Sequence, residues 1–167
     1  MKDVIKTERL VLRPFVAEDG DAVVRVLDNY DVSKWLARVP HPFTHADLRL
    51  FGEDGSTRWP ELMAVTLHDA VIGAISTDHF GYWYDTQHWG KGYATEAGRA
   101  ALDYAFTYSD RTEIPSGYFA GNEGSARVLE KLGFRHVSTY PFFNRACGEE
   151  IENHDMILTR AEWEALQ

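Results

Sequence analysis

The chain has 167 residues, with 26 acidic and 17 basic side chains and a formal net charge of -9. That length suits one domain, expected to span residues 1–167, and 44% hydrophobic residues can build a core, which argues against disorder. An acidic chain without a basic cluster is a poor partner for nucleic acid, and no apolar run approaches the ~20 residues of a membrane helix. The single cysteine, Cys147, can form neither an intramolecular disulfide nor a cysteine-rich zinc site. The first six residues lack the apolar stretch of a signal peptide, so a cytoplasmic location is expected.

In chain order, residues 8–15 alternate polar and apolar and read as a strand that Pro14 stops. Residues 17–29 place Ala22, Val23, Val26 and Leu27 on one helical face, behind Glu18 and Asp19. Residues 31–55 read as irregular, apart from a short helix over 44–51 that Thr44 is placed to cap. Strands over 62–67 and 71–77 follow, joined by His68-Asp69-Ala70 as a hairpin turn. A third strand, 80–85, comes after a tight Asp78-His79 connection. Next are a glycine-rich turn at 89–92 and a long helix over 93–108. Its small residues Ala94, Ala97, Gly98, Ala101 and Ala105 recur at helical spacing, so it can lie close to a sheet. A strand at 116–120, a helix at 123–132, strands at 134–140 and 151–158 and a short C-terminal helix complete the reading. Early hairpins mixed with helices predict an α+β fold.

The run Gly81-Tyr82-Trp83-Tyr84-Asp85-Thr86-Gln87-His88-Trp89-Gly90-Lys91-Gly92-Tyr93-Ala94-Thr95-Glu96-Ala97 carries the chemistry. A strand enters a turn with two glycines and a helix leaves it. The first amides of that helix have no intrahelical partner, and its dipole adds positive potential, which together suit phosphate. The other reading is a tight turn only. Neither GxGxxG nor GxxxxGK[ST] is present, so a pyrophosphate ligand of another kind is needed.

Trp89-Gly90-Lys91-Gly92-Tyr93-Ala94-Thr95-Glu96-Ala97 resembles the acyl-CoA pyrophosphate loop of GNAT-superfamily N-acetyltransferases, in the branch that contains the ribosomal-protein acetyltransferases RimJ and RimL. Three further pieces fit in the same order: Thr7-Glu8-Arg9-Leu10-Val11-Leu12-Arg13, Val39-Pro40-His41-Pro42-Phe43-Thr44, and Asn122 through Phe134. The resemblance implies the GNAT-type acyl-CoA N-acyltransferase fold, a mixed central sheet flanked by helices. It implies acetyl-CoA as co-substrate, no metal, and direct attack by a primary amine of a small molecule or a protein N-terminus. The loop pattern Arg/Gln-x-x-Gly-x-Gly/Ala maps onto Trp89, Gly92 and Ala94, with Trp in the first position; Gln87, Gly90 and Gly92 fit two residues earlier, but the helix start favours the later register.

The same resemblance implies that the amides of Gly90, Lys91, Gly92, Tyr93, Ala94 and Thr95 cradle the pyrophosphate. Trp83 and Tyr84 would offer backbone groups to the pantetheine, Asn122 would bond that arm, and Ser125 and Lys131 would face the cofactor. Each has an ordinary alternative: an N-cap for Asn122, a first-turn residue for Ser125, a solvated helix-end charge for Lys131 and core aromatics for Trp83 and Tyr84. Ser125 is the candidate general acid. Glu96 and His79 are candidate bases, although Glu96 is equally a first-turn acid that complements the helix dipole, and a water relay would need neither. Asp78 and His41 are weaker choices for the same role.

Trp35, His41, Phe43 and the loop 141–150 are expected to border the acceptor. Relatives usually have more residues between the strands at 71–77 and 80–85, a stretch that could supply a base. The seven histidines have no metal-ligand spacing, and direct transfer needs no nucleophilic Cys147. Two other readings compete: a non-catalytic acyl-CoA-binding module, and a phosphate- or nucleotide-binding interaction domain that would leave Asn122 idle. A homodimer is compatible with this fold, and nothing in the sequence specifies its interface.

Overall fold

Among the described residues, eight strands fall into two antiparallel sheets that meet at one bridge. The computed structural model describes residues 4–51 and 62–167. The first sheet runs β1(Ile5–Lys6), β2(Val11–Arg13), β3(Leu62–Leu67), β4(Ala70–Ser76), β5(Gly81–Tyr84) in spatial order. The second has the order β6(Glu113–Phe119), β8(Glu149–Thr159), β7(Arg135–Asn144). Five α-helices, α1(Gly20–Leu27), α2(Tyr30–Ser33), α3(Tyr93–Thr107), α4(Glu123–Lys131) and α5(Arg160–Glu164), and three short 3-10 helices, Ala17–Asp19, His45–Phe51 and Thr86–His88, complete the described elements.

Local chemistry accounts for most element ends. The β3–β4 turn needs only His68 and Asp69, both at positive φ, as a two-residue turn matching strand twist requires. Ala70 already pairs with Leu67, so the turn is one residue shorter than the sequence suggests. The expected helix at 17–29 is a single 3-10 turn over Ala17–Asp19 followed by α1. Within the stretch expected to be irregular, Asn29 accepts from the Asp31 N–H and caps α2, while residues 52–55 lie outside the described residues. The hairpin β7–β8 is longer than expected: most of 141–150 is strand, and only four residues turn.

Two cores flank the first sheet. One packs Leu10, Leu12, Ile75, Phe80 and Tyr84 against Ala97, Ala101 and Leu102 of α3 and Leu129 and Leu132 of α4 and its end. The other packs Ala74 and Trp83 against Val23, Val26 and Leu27 of α1 and Val32 of α2. Gly98 explains how α3 comes so close: a Cβ there would stand 2.7 Å from Leu132 Cδ1 and 3.2 Å from Phe80 Cζ. Residues of β5 and the Phe80 before it therefore alternate between cores, Phe80, Tyr82 and Tyr84 toward α3 and Trp83 toward α1.

Candidate active site

The two sheets join where Phe80 and Ser116 form an isolated parallel bridge. The Phe80 N–H donates to Pro115 O at 2.8 Å, and the buried Ser116 hydroxyl donates to Phe80 O at 2.8 Å. Beyond this point β5 pairs only with β4, and β6 only with β8, so a wedge opens between two parallel strands.

Strand alternation decides which groups face the wedge. Phe80 directs its N–H to β6, whereas the Asp85 N–H donates to Ile72 O on the β4 side. Tyr82 and Tyr84 therefore turn their backbone groups toward the wedge, and Trp83 turns its own toward β4, opposite Ala74. This corrects the expectation for Trp83: its backbone is committed to the sheet and its side chain to the α1 core, where it is 7% exposed. Tyr84 keeps its place, although its carbonyl accepts from Trp89 Nε1 at 2.9 Å.

The wedge ends at the glycine-rich turn. Gly90 and Gly92 take φ of 73° and 81°, a region that strains any residue with a Cβ. Gly92 is the N-cap of α3 without a side-chain partner, and the first intrahelical bond runs from the Glu96 N–H to Gly92 O. The amides of Tyr93, Ala94 and Thr95 thus lie at an unsatisfied helix start, beside the backbone of Gly90, Lys91 and Gly92. Trp89 serves another purpose. Both of its N–H groups are used, the indole by Tyr84 O and the amide by Thr86 O at 3.2 Å, so it braces the turn instead of donating to a phosphate. Below it, burial opposes ionisation of Asp85, but bonds from Arg25 and Gln87 outweigh that and hold its carboxyl below its ordinary range.

Arg9, in the loop between β1 and β2, locks this turn from outside. Its guanidinium lies 4.5 Å from the Tyr93 ring centroid, donates to Lys91 O at 3.0 Å and pairs with Glu96 at 2.6 Å. Glu96 also accepts from the Thr7 hydroxyl at 2.6 Å and the Arg9 amide at 2.9 Å. Burial would raise its pKa, but these bonds lower it overall. A carboxylate held this firmly in its ionised, fully bonded form is a brace and a poor proton acceptor, which corrects its candidacy as base.

On the α3 side of the wedge, the Tyr82 hydroxyl donates to Ser125 Oγ at 3.1 Å. Burial pushes the Tyr82 phenol up to about 12, so it stays protonated. The Ser125 N–H donates to Asn122 Oδ1 at 3.2 Å, which makes Asn122 the N-cap of α4 and uses its oxygen. Lys131 is exposed at the other end of α4, in a groove with Arg99, Asp103 and Trp163. Six residues of helix, about 9 Å, separate it from Ser125.

The opposite face of the wedge differs. Gly81 and Gly117 are each one residue past the bridge; a Cβ on Gly81 would meet only His79 O at 3.7 Å, whereas one on Gly117 would meet His154 O at 3.2 Å and Asn153 Oδ1 at 3.3 Å, so the gap lies on the Gly81 side. His79 stands next to this gap. Desolvation, reinforced by the charge of Arg38, lowers its pKa against the opposing charges of Asp155 and Asp78, although the ring stays accessible. It is therefore neutral at pH 7 and competent as a base.

Trp35 lies past the end of β6, with its ring 3.6 Å from where a Cβ of Gly121 would lie, and Lys34 Nζ is 5.4 Å from its centroid. His41 is exposed farther along the same loop and packs on Tyr30, ring centroids 5.1 Å apart. Phe43 is 1% exposed and belongs to the α1 core; it supports the loop and cannot touch an acceptor, a correction its apolar ring could have suggested. Cys147 sits in the β7–β8 turn, 3.6 Å from the Tyr30 hydroxyl. Sequence reasoning missed Arg9, Tyr82 and Asp155. Only Tyr82 left a signal, its alternation with Trp83 along one strand.

A family model described as Acetyltransferase (GNAT) domain matches residues 9–135. The chain belongs to the GNAT acetyltransferase family. It is similar to the probable N-acetyltransferase YjcK of Bacillus subtilis (strain 168), 41% identical over 92 residues, which are 55% of this chain and 45% of that protein. The chain thus covers less than half of YjcK. An uncharacterized N-acetyltransferase p20 of Bacillus licheniformis is 27% identical over 181 residues, covering 96% of this chain and 98% of the other. Among solved structures, Mycobacterium smegmatis RimJ in complex with CoA-disulfide superposes with a TM-score of 0.77 at 20% identity, covering 96% of this chain and 89% of that one, and shares the fold. The family and its named relatives make this chain an acetyltransferase.

Proposed function

We propose that the chain is an acetyl-CoA-dependent N-acetyltransferase that acetylates a primary amine of a small molecule or a protein N-terminus by direct attack. The observation that carries this reading is the wedge: it opens from a single bridge, is edged by the backbone of Tyr82 and the N–H of Tyr84, and ends at the first amides of α3. A slot with polar backbone along one edge suits an amide-bearing arm, and the amides of Gly90 to Thr95 suit the pyrophosphate at its end. The relative RimJ was solved with a coenzyme A derivative, which supports the same reading.

An alkylamine is mostly protonated at neutral pH, so a proton must leave before attack. His79, neutral and beside the gap at Gly81, takes it directly or through water. The amine nitrogen then bonds to the acetyl carbon, and the N–H of Tyr82 faces the oxygen on which charge develops. The carbon–sulfur bond breaks, Ser125 passes a proton to the sulfur and is resupplied by Tyr82, and the attacking nitrogen gives up its second proton to solvent water, which reprotonates Tyr82. Trp35 and His41 line the acceptor's approach. Lys131, with Arg99, borders the outer end of the cofactor's path. A cytoplasmic site of action belongs to this reading on sequence features; among the described residues no helix is long and apolar enough to cross a membrane.

The test is thiol release from acetyl-CoA with a panel of amines and N-terminal peptides. Release that depends on one acceptor supports the assignment. Acetyl-CoA binding without transfer to any acceptor leaves the binding module, and no binding at all overturns the reading.

A further inference from the structure

Given the transfer reaction proposed above, we infer that Asp155 anchors a second positive charge of the acceptor, so that the preferred substrate is a short diamine or another amine carrying a nearby cationic group. Asp155 lies on β8, directly opposite Gly117 of β6. Backbone groups of Gly117 face the wedge side, so the two residues form a non-hydrogen-bonded pair with Cα atoms about 4.5 Å apart and side chains on one face. That face is open at Gly81, and at Gly117 it is floored by the Asn153 side chain, 3.3 Å from where a Gly117 Cβ would stand. The carboxylate therefore stands one strand in from the wedge, ~4.8 Å from the line of β6, and the reacting nitrogen would lie beyond β6 at the distance of a second amine on a short chain.

The surroundings of Asp155 prepare it for a cation. Tyr140 Oη donates to it at 3.0 Å, Asn153 Nδ2 at 2.9 Å and Ser138 Oγ at 3.4 Å. All three donors are neutral. They orient the carboxylate without cancelling its charge, so a negative potential is left on this face. Other partly buried carboxylates of the chain are treated differently: Asp19, Asp85 and Glu96 each hold an arginine. No such ion pair joins Asp155 among the described residues. Arg38 is exposed at the rim, where water screens its charge more than that of half-buried Asp155. Beside Asp155, Tyr140 and Phe142 offer a partly exposed aromatic surface, ring centroids 6.3 Å apart, against which methylenes can lie.

A carboxylate in contact with the reacting nitrogen would hold it as ammonium and oppose the loss of its proton. Asp155 is better suited to a nitrogen that does not react. The reacting one then falls at the gap beside His79.

The experiment compares butane-1,4-diamine with butylamine by calorimetry on the full chain saturated with coenzyme A, where no transfer can occur. The wild type should bind the diamine at least tenfold more tightly, and Asp155→Asn should reduce the preference to within twofold while coenzyme A affinity stays unchanged. Asp155→Ser replaces it if the Asn variant does not fold. A wild type that binds both amines equally overturns the proposal, and so does a folded Asp155 variant that keeps the preference. Failure of the wild type to bind coenzyme A would instead overturn the proposed reaction, and the diamine preference would then be scored on the free protein.

Discussion

Tyr82 and Ser125 are joined by a 3.1 Å hydrogen bond between a strand edging the wedge and the first turn of α4. The phenol donates, which occupies a lone pair of Ser125 and leaves the serine O–H to point elsewhere. A serine hydroxyl in water would share its proton with many partners; this one is directed. Tyr82→Phe should therefore lower kcat by about tenfold, less than the roughly 10²–10⁴-fold of a full general acid because Tyr82 acts only through Ser125, with acetyl-CoA affinity unchanged. Ser125→Ala should cost more. Steady-state kinetics with calorimetry checks both, and a Phe variant with full kcat would remove Tyr82 from the relay.

Gly92→Val tests the turn. Its φ of 81° would cost a β-branched residue about 1–3 kcal/mol of backbone strain, and relief of that strain would turn the amides away from any phosphate. The nearest side-chain atom to a new Cβ is Arg9 Nη2 at 3.5 Å, so the variant has room to fold. Coenzyme A affinity should fall more than tenfold, with a cooperative thermal transition retained. Unchanged affinity in the folded variant would dismiss the turn as the pyrophosphate site.

The Arg9–Glu96 pair predicts a pH effect on stability. The pKa of Glu96 is depressed in the folded chain, so its stabilisation is complete above about pH 5 and is lost as pH falls through the folded value. Arg9 is 42% exposed, so solvent screening limits the pair to about 1 kcal/mol. Glu96→Gln should lower Tm by a few degrees at pH 7 and flatten the decline of Tm in acid. It should leave the shape of the pH–rate profile intact. Loss of the acidic limb in this variant would restore Glu96 as base.

His79 predicts that limb. Because its imidazole titrates below the ordinary histidine value of about 6.5, kcat/KM should rise with pH through a point below 6.5 and then level. Below that point His79 is protonated and cannot accept a proton from the amine. His79→Ala should lower kcat/KM by at least tenfold and abolish the limb. A limb that persists in the variant would assign proton removal to another group or to water.

Strands and helices were largely legible because their signals are local: the apolar runs of β3 and β4 on either side of a turn, which is one residue shorter than the sequence suggests, and the small stripe that lets α3 approach β5. What escaped depends on partners distant in sequence. Nothing around Arg9 announces that it will cross the turn and hold Glu96, 87 residues away. Trp83 was misread because its alternation with Tyr82 and Tyr84 has meaning only after the Phe80–Ser116 bridge fixes which edge faces the wedge. Phe43 sits in a loop by sequence but in a core by tertiary packing. Glu96 had two readings at the outset, and the geometry of Thr7 and Arg9 chose between them.

The bridge has one more consequence, for solvent access to individual amides. Along β5, neighbouring N–H groups alternate between the sheet and the wedge, so deuterium should enter Tyr82 and Tyr84 quickly while Phe80 and Trp83 resist it. A ligand arm bonded along that edge would slow the fast pair and leave the slow pair as it was. One short strand thus carries its own internal reference, and the difference in exchange between adjacent residues reports whether the slot is filled.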